Sequence, residues 1–145
     1  MISDTAKYNA SCHCGSVQVT LTQRPEFIND CNCSLCSKSG GVWGYFSWSD
    51  VEISGPTQTY ERNDRSSPVV QIHFCSSCGS TTHWSLTETY LEKSGHVDRM
   101  GVNMRLFDSD QLTGVEVRFP DGKAWSGEGE YEYRRETIVL GTDGY

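Results

Sequence analysis

Seven cysteines fall in three short blocks, and their placement constrains this chain more than any other feature. Cys12-His13-Cys14-Gly15 comes first, Cys31-Asn32-Cys33-Ser34-Leu35-Cys36 follows, and Phe74-Cys75-Ser76-Ser77-Cys78-Gly79 completes the set. Short Cys-x-x-Cys turns aim two sulfurs at one ion, and zinc takes thiolates at tetrahedral corners. Seven thiols fit one closed four-sulfur site plus one three-sulfur site with a free corner. Closed sites are structural, whereas an open corner is where zinc chemistry takes place. Disulfides are the competing reading, but they would leave one cysteine over, and the two sulfurs of a C-x-C are badly placed to bridge each other. Met1 to Lys7 holds no apolar secretory segment, so metal in a reducing, cytoplasmic compartment is expected. One structural zinc with three incidental thiols is a further alternative, weakened because Cys33 and Cys36 repeat the chelating spacing.

The 145 residues suit one domain spanning 1–145 with a modest core. Only 36% of them are hydrophobic, so metal binding is expected to supply part of the folding energy. The net charge of −7 and the lack of a basic stripe argue against a nucleic-acid partner. No apolar run reaches membrane-spanning length, which argues against a membrane partner.

Period-two patterning dominates the rest. Residues 1–10 read as a loose lead-in in which Tyr8 is able to dock. Val17, Val19 and Leu21 alternate with Gln18 and Thr20 as a half-buried strand, and Phe27-Ile28 leads into the triple block. Ser34 to Lys38 suits one helical turn, ended by Gly40-Gly41. Residues 42–48 are aromatic-rich and read as a strand whose rings mostly pack in the core, with one or two walling a pocket. Val51 to Ile53 alternates, Gly55-Pro56 turns, and Gln58 to Tyr60 suits a short strand. Glu61 to Pro68 reads as an exposed loop. Val69 to Phe74 is a strand delivering Cys75 and Cys78, with Ser80 to Trp84 as its hairpin return. Leu86 to Lys93 is either a short helix or a loop. Gly101 to Leu106 and Val115 to Phe119 are strands, the second closed by Pro120-Asp121-Gly122, and the tail turns apolar only at Thr137 to Leu140. Many short strands punctuated by turns give a mainly β small fold with few short helical turns.

The three cysteine blocks, in this order and at these separations, with Gly40-Gly41, Phe74 and Gly79-Ser80 beside them, resemble the glutathione-dependent formaldehyde-activating enzyme family, which also includes centromere protein V. The resemblance is strong from Cys12 to about Trp84, fades through Gly101 to Arg105 and is not usable in the tail. It implies a zinc-clipped Mss4-like β-tent. It also implies that Cys12, Cys14, Cys75 and Cys78 form the closed structural site, a ligand set that spacing alone does not fix. Cys31, Cys33 and Cys36 would then hold a second, catalytic zinc with a vacant or water-filled corner. Two Zn²⁺ per chain are expected.

Three thiolates leave zinc formally anionic and a weak Lewis acid, better suited to holding another sulfur than to activating water. The chemistry expected is therefore carbon–sulfur bond formation or cleavage, a lyase-type activity on a glutathione adduct or another thiol-linked small molecule. The resemblance implies the same partner, since the family's founding activity joins glutathione to formaldehyde. Two other readings stand beside it: an enzyme of this fold in secondary metabolism that does not use glutathione, and a noncatalytic zinc module. The founding enzymes usually carry His where this chain has Asn32, and Asn cannot shuttle a proton. An anionic substrate needs a local cation. Lys38 is the first candidate, with Arg62, Arg65 and Arg105 behind it, and Trp43 is the expected aromatic contact. Of the histidines, His83 is read as support for a cysteine, with acid–base and fourth-ligand roles also open. His73 is a packing or surface residue, His13 faces solvent, and His96 lies in an uninformative polar stretch.

Overall fold

A computed structural model describes residues 7–142. Its strands are β1 (Tyr8–Ser11), β2 (Gln18–Leu21), β3 (Phe27–Asn29), β4 (Trp43–Phe46), β5 (Val51–Ser54), β6 (Thr57–Glu61), β7 (Val70–Cys75), β8 (Thr81–Leu86), β9 (Met100–Asn103), β10 (Glu116–Pro120) and β11 (Tyr133–Val139). Two short helices interrupt them, α1 (Ser34–Ser39) and α2 (Glu88–Ser94). The fold is mainly β, as the patterning requires.

The strands form two sheets. A three-stranded sheet runs β1-β2-β5, and an eight-stranded sheet runs β11-β10-β3-β4-β9-β8-β7-β6. Neighbouring strands are antiparallel except β3 and β10, which pair in parallel with Ile28 opposite Val117. The chain passes from the small sheet to the large one between β5 and β6, through Gly55. That residue has φ +111°, and a Cβ there would lie 2.1 Å from the Ser16 carbonyl oxygen, so only glycine fits the corner.

Alternation along the strands builds cores on two faces of the large sheet. Val42 and Phe46 join Val19, Leu21, Ile28, Val102 and Val117 in the main core, which the small sheet covers. Trp43 and Tyr45 face the other way, with Ile72, Trp84 and Leu86 and with Leu35 and Cys36 of α1. A third cluster of Cys12, Val17 and Cys75 sits where the two sheets meet. Full burial of a large apolar side chain stabilises by about 1.5–3 kcal/mol. Val17, Val19, Leu21 and Ile28 are all at most 2% exposed.

Several expectations are corrected. Tyr8 to Ser11 is a strand, not a loose lead-in, because β2 offers it a full antiparallel register from Tyr8 against Leu21 to Ser11 against Gln18. The aromatic run 42–48 yields strand only to Phe46, after which Trp48–Asp50 winds into a 3₁₀ turn. Gly101 to Leu106 likewise divides: Asn103 caps a 3₁₀ turn at Met104–Leu106 by accepting from the Arg105 N–H, which ends β9. Segment 86–93 resolves as α2, capped by the Thr87 hydroxyl accepting from the Tyr90 N–H. Within the loop read as exposed, the Arg62 side chain is only 10% exposed.

Candidate metal centre

The cysteines converge as two groups, Cys12 with Cys14, Cys75 and Cys78, and Cys31 with Cys33 and Cys36, all sulfurs of a group lying within 4.8 Å of one another. In the first group the Cys12–Cys14 and Cys14–Cys75 sulfur separations are 3.6 and 3.7 Å. A zinc–sulfur bond of about 2.3 Å in a tetrahedron gives edges of about 3.8 Å, so the donor set fits zinc. Cys14 and Cys75 lie 61 residues apart in the chain, and a link across that length removes much conformational entropy from the unfolded state.

Neighbouring donors tune these thiols. The Ser16 hydroxyl lies 3.2 Å from Cys75 Sγ and, with the backbone N–H groups of Cys78 and Ser77, brings Cys75 down to about 7. The Ser80 hydroxyl, 3.2 Å from Cys78 Sγ, leads the contacts that bring Cys78 down to about 5. Both therefore ionise readily near neutral pH, as metal ligands must. His13, between the first two cysteines, is exposed as expected.

The second group is built by α1 itself. Cys33 is the helix N-cap, its sulfur accepting from the Cys36 N–H at 3.4 Å, while the Cys33 N–H donates to Cys31 Sγ at 3.4 Å. Gly40, at φ +77°, closes the helix by donating its N–H to the Cys36 carbonyl. Trp43 Nε1–H donates to Cys36 Sγ at 3.3 Å. The sulfur contacts of Cys31 and Cys36 draw Cys33 down to about 2, with the Cys36 N–H and the Arg62 charge adding to the effect. The same contacts push Cys31 and Cys36 upward. A metal ion bound by the trio displaces the thiol protons.

A cavity of about 260 Å³ opens on these three sulfurs. Trp43, Tyr45, Trp84, Trp125 and Tyr131 supply its aromatic wall, Leu35, Val70 and Ile72 its aliphatic one, and Asn29 and Arg62 polar groups. Among the described residues that line it there is no carboxylate and no histidine. Trp43 thus sits where an aromatic contact is expected. Lys38 does not line this cavity. Two positions beyond Cys36 on a helix is about 200° around the axis, and Lys38 instead borders an adjoining hollow of about 480 Å³ with Tyr60, Asn63 and Asp64. Arg62 lines both spaces. It is held by Asp64 through two 2.7 Å hydrogen bonds, and Asp64 in turn accepts from Ser34 of α1. Arg65 and Arg105 line neither space.

Asn32 has a different task from proton transfer. Its Nδ2 donates to Asp121 Oδ1 at 2.9 Å and its Oδ1 accepts from the Lys123 N–H at 2.9 Å. These bonds latch the 121–123 turn over the cysteines, so closely that a Cβ on Gly122 would lie 2.4 Å from Cys31 Sγ. His83 does not support a cysteine. Its Nδ1 lies 2.9 Å from the Thr82 hydroxyl, its ring stacks on His73 at 4.0 Å, and it belongs to neither cysteine group. His73 is a packing residue, with Nε2 2.7 Å from the Ser85 hydroxyl. Tyr45, with Trp43, is one of the rings of 42–48 that wall the pocket as expected, and the residues missed from sequence are Asn29, Trp125 and Tyr131. Aromatic rings in an otherwise polar tail were the one available signal for the last two, whose rings meet edge to face at 5.8 Å.

The family described as glutathione-dependent formaldehyde-activating enzyme matches residues 7–117, most of the chain and both cysteine groups. The chain belongs to that family. A Halomonas elongata protein, provisionally named a glutathione-dependent formaldehyde-activating enzyme, is 33% identical over 84 residues, which cover 48% of this chain. The match spans about half the length of that relative. In structure the chain resembles a crystallised Rhodobacter sphaeroides protein with a TM-score of 0.53 and 23% identity, covering 74% of this chain and 96% of the other. That likeness concerns the fold alone. No helix is long and apolar enough to cross a membrane among the described residues.

Proposed function

We propose that the chain is a zinc-dependent enzyme of carbon–sulfur lyase type, acting on a glutathione adduct or another thiol-linked small molecule. The observation that carries this reading is the convergence of three thiols, and no fourth protein ligand among the described residues, on a walled cavity. Cys12, Cys14, Cys75 and Cys78 hold a structural zinc, and Cys31, Cys33 and Cys36 hold a second with one corner open. Bound there, zinc supplies a soft centre that keeps a substrate sulfur as thiolate near neutral pH.

The protein's own groups shape the rest. The Cys33 and Cys36 amides and the Trp43 indole orient the three sulfurs, and the aromatic wall excludes water, which strengthens each polar contact inside. The reaction that suits this lining needs no strong base. A substrate sulfur that has given its proton to solvent bonds to an aldehyde carbon, the carbonyl π pair moves to oxygen, and that oxygen takes a proton from water; the reverse cleaves the carbon–sulfur bond. Trp43 packs against the substrate body. A peptide-sized thiol reaches past Arg62 into the adjoining hollow, where Lys38 meets its carboxylates. The apolar wall also favours a second reading, an enzyme of the same family whose substrate is an apolar thiol adduct rather than glutathione.

Cobalt substitution tests both, since sulfur-to-cobalt charge-transfer absorption reports the number of bound thiolates. Glutathione should raise that band saturably, and Lys38→Ala should weaken glutathione by about fivefold, about 1 kcal/mol, while leaving 2-mercaptoethanol unchanged. A band raised only by apolar thiols selects the second reading. A band that no thiol moves leaves a noncatalytic zinc module.

A further inference from the structure

One buried polar atom of a residue that lines the cavity lacks a partner. Asn29 is 6% exposed, its Nδ2 donates to the Tyr45 hydroxyl at 2.9 Å, and its Oδ1 is buried with no hydrogen bond. Buried side-chain acceptors are nearly always satisfied, because leaving one unpaired forfeits the water it had when unfolded. Among the described residues it is the one such side-chain atom.

Register explains its direction. Asn29 of β3 stands opposite Trp43 of β4, so both side chains leave the sheet on the face that α1 and the cavity occupy. Tyr45, two residues beyond Trp43, leaves on the same face. Its ring is fixed among Phe27 at 5.7 Å, Trp84 at 6.1 Å and the Arg99 guanidinium at 4.6 Å. Because the Tyr45 oxygen accepts from Asn29, its own O–H remains free to donate. The two side chains together thus offer one acceptor and one donor beside a cavity whose other polar lining groups include the three thiols and Arg62.

We propose that Asn29 and Tyr45 form a hydroxyl-recognition pair, so that the ligand of this cavity is a hydroxyl-bearing small molecule with an apolar or sulfur-linked body. A hydroxyl is matched to the pair because a single oxygen donates to Asn29 Oδ1 and accepts from Tyr45. An aldehyde or a thioether cannot satisfy Asn29 at all. The inference rests on the reading of this cavity as the substrate site.

The test uses the metal-loaded protein and near-isosteric ligand pairs, with tryptophan fluorescence as the readout because Trp43, Trp84 and Trp125 line the cavity. One pair carries sulfur, 3-mercapto-1-propanol against 1-butanethiol; the other does not, benzyl alcohol against ethylbenzene. The hydroxyl member of each pair should bind about tenfold tighter. The preference should fall below about twofold in Asn29→Leu, which removes the acceptor at similar volume, and in Tyr45→Phe. Equal affinities within both pairs in the unmutated protein overturn the hydroxyl proposal while leaving the lyase reading intact. A preference in the sulfur-free pair, with no thiol moving the cobalt band, upholds the pair and overturns the lyase reading. Fluorescence that no ligand changes overturns both. The decisive comparison is within the unmutated protein, so a variant that folds poorly does not blunt it.

Discussion

The tightest contact around the three-cysteine group gives the sharpest prediction. Gly122 does not have positive φ, so alanine meets no backbone strain there. Its methyl group, however, would lie 2.4 Å from Cys31 Sγ and 3.1 Å from Cys33 Cβ. Ordinary contact begins near 3.4 Å, so something must move by about 1 Å. Zinc–sulfur bonds keep within about 0.2 Å of about 2.3 Å, so a displaced Cys31 Sγ must carry the ion with it or weaken its hold. Neither partner yields freely, since Cys31 is tied through the Cys33 N–H and the turn is latched by Asn32. Overpacking of this kind costs about 1–3 kcal/mol, which, placed on the metal equilibrium, is a fivefold to hundredfold weaker second zinc. Competition with a chromophoric chelator resolves the two ions. In Gly122→Ala the tighter ion should be retained and the weaker one released earlier, whereas Lys123→Ala, which keeps the backbone N–H, should match the unmutated protein. If Gly122→Ala holds both ions with unchanged affinity, the turn does not press on Cys31 and the reasoning fails.

Three further outcomes follow from the same geometry. Cys75→Ser should lower the melting temperature far more than Cys33→Ser, because Cys75 is buried where the two sheets meet and Cys33 lies on α1; equal losses in calorimetry would reverse the structural and catalytic assignments. Asn32→Ala removes both bonds to the 121–123 turn, so proteolysis should cut near residues 121–131 sooner while the closed site keeps its zinc; unchanged cleavage would show that the latch is redundant. His83 is brought down to about 3, first by burial and then by His73. The unfolded chain takes up that proton first, so the stability from keeping the ring neutral is complete above about pH 6.5 and is lost progressively as pH falls toward 3. Between pH 7.5 and 5.5 the unmutated protein should lose about 1 kcal/mol more than His83→Gln in denaturant melts, and parallel curves would remove this account.

Local signals made much of this molecule readable. The cysteine knuckles, the strand alternation at Val17 to Leu21 and the short helix ended at Gly40 depend on neighbours within a few residues, and the structure keeps them. What sequence does not encode locally is which strands meet. The parallel pairing of β3 with β10 brings residues about ninety positions apart side by side, and it is this pairing that carries the 121–131 segment to the cysteines. Nothing near Asn32 announces that its amide holds Asp121 and Lys123 rather than a proton in transit.

The contrast between Lys38 and Arg62 shows the same limit in miniature. Lys38 lies closest in sequence to the third cysteine of the block, and sequence distance favours it as the site's cation. Helical geometry turns it away from the sulfurs, while a loop that reads as exposed returns Arg62 to them. Arg62 is fixed by Asp64, and Asp64 by Ser34 of the same helix that carries Cys36. Its charge is thereby tied to the helix that carries the cysteines, which suits a cation that helps hold Cys33 ionised. A positive charge placed this way acts on the sulfur whether or not a ligand is bound, whereas Lys38 is exposed on the adjoining hollow, where the proposed function has it meet the far end of a substrate.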